Sequence, residues 1–184
     1  AFGSAAMTNS ISELDDAQLY FVTGTNVTEQ FPEVAGRIIR QVNRGKAKLI
    51  VIDPRKIRLS DFATIYLQPK PGTDVIWING MAKIIIEEGL ADNNFITGYT
   101  EGFDAFKASL EKFTPQYVES ETGMPADKFA EAARLYAKTK KAMLFYAMGI
   151  TQHICGTDNV KSLANLVMLT GHVGFPSTGL FSVD

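Results

Sequence analysis

One cysteine, Cys155, and two histidines, His153 and His172, are all the thiol and imidazole ligands in 184 residues. A single thiol excludes an internal disulfide and a cysteine-rich cluster site. Two imidazoles without thiolate partners make a zinc site within the chain an unsupported reading. The formal net charge is −2, so the basic surface that neutralises phosphate backbones is missing and no nucleic-acid partner is expected. The apolar runs fall far short of the roughly 20 residues that cross a bilayer, so no direct membrane insertion is expected. The opening residues, Ala-Phe-Gly-Ser-Ala-Ala-Met, lack the charged and apolar regions of a signal peptide. They also lack an initiator methionine, and the chain reads as a piece of a longer polypeptide.

What is present suits a folded core. Hydrophobic residues make up 46% and charged residues 21%, a balance found in globular domains rather than disordered chains. Short apolar runs at 16–24, 48–52, 63–68 and 142–147 read as buried strands. Between the first two, Pro32 opens a segment with Val34, Ile38, Ile39 and Val42 at helical spacing. Thr73-Asp74 is positioned to cap a long helix running to Gly89. Helices are also expected over 101–113, from Pro115, from Pro125 to Lys138, and over 159–169 with Thr157-Asp158 as cap. Strand, helix, strand units predict an α/β, Rossmann-like, open and mostly parallel sheet. Helices should cover both faces, with a helical insertion at about 92–139 packed on one of them. The whole of 1–184 is expected to be a single domain.

In open α/β sheets ligands bind beyond the carboxyl ends of the strands. Four junctions matter: Thr23-Gly-Thr-Asn26, Asp53-Pro-Arg-Lys56, Gln68-Pro-Lys-Pro-Gly-Thr-Asp74 and Met148-Gly-Ile-Thr-Gln-His153. Each is polar and carries glycine, proline or both. Glycine permits close backbone approach to a ligand. An aspartate at a strand end can accept from a ribose diol or purine N–H groups, and Arg or Lys can meet phosphates. Asp53-Pro-Arg55 alone reads equally as turn chemistry with a surface ion pair. Together the four junctions point to a nucleotide-like ligand. Cys155 has no adjacent base to activate it and reads as inert. His153 reads either as a ligand contact or as an ordinary loop histidine, and His172 as structural.

The ordered segments GTNVTEQFP, KLIVIDPRK, QPKPGTDV, NGMAKIIIEEGL, TPQYVESETGMPADKFAEAARLYAK and MGITQHICGTDNVKSLANLVMLTGHVG cover most of the chain. Together they resemble an internal domain of the catalytic (alpha) subunit of formate dehydrogenase, in the molybdopterin oxidoreductase superfamily. The resemblance implies a domain that holds part of a bis-molybdopterin guanine dinucleotide with molybdenum or tungsten. The parent enzyme would oxidise formate to carbon dioxide and pass electrons to a [4Fe–4S] cluster. Its partners would be the remaining domains of the catalytic subunit and electron-transfer subunits. By the same resemblance, Gly24, Thr25, Asn26, Glu29 and Gln30 line the dinucleotide. Asp53 and Arg55 address the guanosine end, and Pro71, Gly72 and Asp74 close over that nucleotide. Met148, Gly149, Thr151 and Gln152 lie against the cofactor toward the metal.

The metal-ligating Cys or selenocysteine is expected upstream of Phe2-Gly-Ser, as are the cluster cysteines. The active-site arginine is expected beyond Ser177-Thr-Gly-Leu180, where this chain reads Phe-Ser-Val-Asp. The 184 residues alone are therefore expected to bind rather than catalyse. A sister oxidoreductase with another substrate, or a stand-alone docking domain, remains an alternative. The expected location is cytoplasmic; a periplasmic parent stays open, since a mid-chain piece carries no export signal of its own.

Overall fold

The computed structural model describes residues 7–183. Five strands, β1 (Leu19–Thr23), β2 (Lys48–Ile52), β3 (Ile65–Leu67), β4 (Ala142–Tyr146) and β5 (Gly179–Ser182), form one sheet in the order β3-β2-β1-β4-β5. Every pairing is parallel, so the Rossmann-like expectation holds and the sheet is wholly parallel. The chain builds outward from β1 to one side, then returns to lay β4 and β5 on the other. The strand order therefore reverses between β1 and β4.

The strands are apolar on both faces because both faces are covered. Leu19, Phe21, Ile50, Ile52 and Leu144 point into one core. Tyr20, Val22, Leu49, Val51, Met143 and Phe145 point into the other. This alternation is the period-2 geometry of a strand, here with both sides buried.

The helices are α1 (Val27–Gln30), α2 (Pro32–Asn43), α3 (Asp74–Glu87), α4 (Asn93–Tyr99), α5 (Phe103–Ser109), α6 (Pro115–Thr122), α7 (Ala126–Lys138), α8 (Met148–Thr151) and α9 (Gly156–Leu169). Val34, Ala35 and Ile38 turn α2 onto the second core. The first core receives α3, α7 and α9. Helices α4 to α7 fill the 92–139 segment; α6 and α7 pack on α3, and α4 on α9.

Several boundaries differ from the sequence reading. β1 starts at Leu19, because Ile11–Asp16 is a separate 3-10 turn capped by Ser10 and Glu13. The 101–113 segment holds a shorter helix, since Gly102 has φ of 73° and the helix ends at Ser109. α9 starts at Gly156, with Cys155 at the cap position and Thr157 and Asp158 already inside the first turn. Thr73 does precede α3, but its hydroxyl donates to the Lys70 carbonyl over 2.7 Å instead of capping the helix. β5 is a fifth strand beyond the four that the apolar runs predict. The expected position of the metal-ligand segment, next to Phe2-Gly-Ser, lies outside the described residues.

Candidate nucleotide-cofactor site

The loops that leave β1, β2, β3 and β4 converge at the carboxyl edge of the sheet on one open cleft of about 370 Å³. That volume lies in the range of about 300–1,000 Å³ usual for small-molecule sites. The cleft sits where the strand order reverses, the place open α/β sheets use for ligands.

The residues expected there are brought together with two exceptions. Gly24, Thr25, Asn26, Gln30, Asp53, Arg55, Pro71, Gly72, Asp74, Met148, Gly149 and Gln152 line the cleft. Glu29 and Thr151 do not: Glu29 is exposed on α1, and Thr151 is half-buried at the end of α8. Thr23, Pro54, Pro69, Lys70 and His153 complete the lining. Each of these belongs to a strand-end junction, so the signal was present, but nothing in the sequence told which residues of a junction face inward. Lys56, in the same junction as Arg55, turns away to Asp61 at 3.1 Å.

The β1 and β4 loops touch directly. Gly149 N donates to Gly24 O over 3.0 Å. Gly24 has φ of 59°, and a Cβ on Gly149 would fall 2.5 Å from Gly24 O. Only glycine permits this approach. Beside it, Thr25 Oγ1 donates to Gln30 Oε1 over 3.0 Å, and Thr28 Oγ1 donates to Asn26 Oδ1 over 2.7 Å.

Two carboxylates and two cations set the electrostatics. Asp53 is 2% exposed. Its Oδ1 accepts from Arg55 N over 2.8 Å, an Asx-type turn; its Oδ2 has no partner among the described residues. Burial raises its pKa, opposed by the Arg55 backbone bond and the Arg55 charge. The Arg55 side chain is 71% exposed, with Nε 3.9 Å from Asp53 Oδ1, so it is only loosely paired. The Asp74 carboxylate opens α3: Oδ1 accepts from Trp77 Nε1 over 3.3 Å, and Oδ2 lies 3.7 Å from His153 Nε2. Burial raises its pKa too, opposed by the Trp77 bond and by His153. Lys70 makes no ion pair among the described residues. This set offers a buried acceptor for ligand N–H or O–H groups, and one loosely paired cation and one without an ion pair for an anion. Among the described residues there is no cluster of three or more His, Cys, Asp or Glu that could hold a metal ion.

Comparison with known proteins follows the same lines. The sequence profile of the molybdopterin oxidoreductase family matches residues 2–183. The alpha subunit of F420-dependent formate dehydrogenase 1 from Methanococcus maripaludis is 43% identical over 180 residues, 98% of this chain and 27% of that protein. The alpha subunit of F420-dependent formate dehydrogenase from Methanocaldococcus jannaschii is 44% identical over 97% of this chain and 26% of its own length. Formate dehydrogenase H of Escherichia coli is 41% identical over 97% of this chain and 25% of its own. Acetylene hydratase from Pelobacter acetylenicus superposes with a TM-score of 0.84 over 95% of this chain and 24% of that one, at 23% identity, a likeness of fold. The chain thus spans about a quarter of the length of these curated relatives. By its matched span and the fold it builds, the chain belongs to the molybdopterin oxidoreductase family, whose members carry a molybdopterin cofactor with molybdenum or tungsten.

Proposed function

We propose that this chain is the dinucleotide-cradling domain of a formate dehydrogenase-like enzyme, holding the guanine end of a bis-molybdopterin guanine dinucleotide. The observation that carries this reading is the cleft at the strand reversal, where the buried Asp53 carboxylate faces the same space as the Arg55 and Lys70 cations. A guanine presents neighbouring N–H donors, which suit a buried carboxylate with one oxygen uncommitted. A pyrophosphate suits two cations on one wall, Arg55 loosely paired with Asp53 and Lys70 with no ion pair among the described residues.

In this reading Asp53 accepts from the guanosine, while its own Oδ1 stays fixed by Arg55 N. Arg55 and Lys70 meet phosphate oxygens. The Gly24–Gly149 contact keeps side chains out of the floor, so that the cofactor lies against backbone. Pro71 and Gly72 form the exposed lip over the nucleotide. When bound in the full-length enzyme, the cofactor supplies the redox centre at which formate would become carbon dioxide. Electrons would pass to a [4Fe–4S] cluster and to electron-transfer subunits. The residues of this span bind and orient, and none is assigned to the reacting atoms.

The experiment is Asp53→Ala in the full-length protein, with guanine nucleotide released per chain as the measurement. Losing one charged hydrogen-bond partner should weaken binding by about 1.5–3 kcal/mol. Unchanged nucleotide content would sink the guanosine assignment. Formate-dependent reduction of an artificial acceptor by the full-length protein tests the substrate separately from the cofactor.

A further inference from the structure

Helix α4 has one side in the core and one side left bare. Ile96 is buried in the first core, and Asp92 N, at the cap position, donates to Leu169 O over 2.9 Å. Away from that contact, Phe95 and Tyr99 share an open groove of about 460 Å³ with Phe175, from the loop before β5. Asp92, Asn94 and Gly98 complete its lining. Tyr99 is 75% exposed and Phe175 52%. The Phe95 and Tyr99 ring centroids are 5.1 Å apart. None of the three rings belongs to either core. Scattered exposed apolar residues are ordinary, but aromatics gathered on one groove mark a contact site.

The Phe175 loop is firmly held. Phe175 O accepts from Asn9 Nδ2 over 2.8 Å and from Thr178 Oγ1 over 2.7 Å. Ser177 N donates to Glu13, and Ser177 has φ of 62°, in the region that favours glycine. Fixed backbone thus presents a ring that fills no space inside the domain.

The groove is electrically one-sided. Asp92 Oδ1 accepts from Phe95 N over 2.9 Å. Its Oδ2 has no hydrogen-bond partner among the described residues and lies against Gly171, where a Cβ would fall 2.7 Å from it. The carboxylate therefore sits between α4 and the start of the Phe175 loop. The segments that carry or brace the groove, 7–16, 89–106 and 170–183, contain no Lys or Arg. Aromatic faces are themselves negative and attract cations. An apolar occupant would strip water from Asp92 without giving it a partner. A guanidinium satisfies both demands, because it is planar, stacks on rings and pairs with a carboxylate, whereas an ammonium holds its water more tightly.

We propose that this groove seats an arginine from a segment of the same polypeptide outside these residues, stacked on the exposed rings and paired with Asp92. Six residues line the groove, whereas a stable interface between separate proteins takes about 20–30 residues a side. A contact this small holds a segment that the chain already keeps close. The proposal rests on the reading above that these residues are one domain of a longer enzyme, and it names the surface and the chemistry by which another part of that enzyme packs on it.

The test uses the full-length protein. Hydroxyl-radical footprinting reads Tyr99 and Phe175, and phenylglyoxal modification reads each arginine, both mapped by mass spectrometry. In the unaltered protein Tyr99 and Phe175 should be protected, and one arginine outside residues 1–184 should react slowly. Gly98→Leu fills the groove from a position with nothing within 4 Å of an added Cβ. It should speed modification of that arginine about tenfold, the effect of losing a ring contact together with its ion pair. Asp92→Asn keeps a capping side chain and should speed it by a smaller factor. Freely reacting Tyr99 and Phe175 in the unaltered protein would overturn the proposal. So would protection to which no arginine responds, protection lost on dilution as a dimer dissociates, or protection seen only when another subunit is bound. None of these readouts depends on nucleotide: unchanged nucleotide content in Asp53→Ala would sink the guanosine assignment and leave the groove standing.

Discussion

Gly149 N donates to Gly24 O over 3.0 Å, joining the loops that leave the two central strands. The contact leaves no room for a side chain: a Cβ on Gly149 would meet Gly24 O at 2.5 Å and Gly24 Cα at 2.7 Å. These are backbone atoms and cannot swing aside. Gly149→Ala should therefore push α8 away from the β1 loop. The expected outcome is a loss of roughly 1–3 kcal/mol of stability, the usual range for forced overpacking. Cofactor content should fall with it. Denaturant unfolding and nucleotide released per chain are the two measurements, and a Gly149→Ala protein with wild-type values in both would refute the tight-floor account.

His172 gives a pH prediction. It is 3% exposed. Its Nε2 donates to Thr139 O over 2.6 Å, and Nδ1 lies 2.8 Å from Thr170 Oγ1. Burial pushes its pKa down to about 4, against weaker opposing effects from Thr139 and Asp92. The folded chain resists the proton that the unfolded chain accepts, so the contribution to stability is present above the ordinary histidine range. It is lost as pH falls from about 6.5 through about 4. The loss should be on the order of 3 kcal/mol. Thermal unfolding at pH 7 and pH 4.5 should show the slope, and His172→Asn, which cannot titrate, should flatten it. An equal slope in the asparagine variant would place the acid sensitivity elsewhere.

Gly80 lies in the middle of α3, where helix propensity alone would favour alanine by about 1 kcal/mol. A Cβ there would collide with the Val118 side chain on α6 and come within 3.2 Å of the Phe129 ring on α7. Gly80 is what lets three helices meet. Gly80→Ala should destabilise despite its better propensity, with overpacking worth about 1–3 kcal/mol. Val118→Ala in the same chain should recover part of that loss. Denaturant unfolding of the single and double variants checks this; a more stable Gly80→Ala protein would show that the packing yields.

The strands and the site were legible in the sequence to different depths. β1, β2, β3 and β4 announce themselves because both faces of a covered parallel sheet are apolar, which leaves continuous runs such as Leu49–Ile52. β5 gives no such run. It follows Pro176-Ser-Thr, and its outer edge is held by Thr8, whose N–H donates to Leu180 O over 3.3 Å across 172 residues of sequence. No local pattern encodes that pairing. In the site, glycine and charge at strand ends marked the right junctions. The inward or outward choice within each junction depends on turn geometry: Arg55 N closes on Asp53, Lys56 leaves for Asp61, and Lys70 stays at the cleft. Glu29 and Thr151 sat in promising segments, but single helical turns carried them off the wall.

Trp77 is the only tryptophan in the 184 residues. It is fully buried, its ring centroid 6.0 Å from that of Phe21. Its one polar atom donates to the Asp74 carboxylate on the cleft wall. A change in the charge or orientation of that carboxylate alters the electric field on an indole shielded from water. The domain's one indole is thus wired to the cleft by a single hydrogen bond, and a ligand that shifts the Asp74 carboxylate should shift the emission of a fluorophore it does not touch.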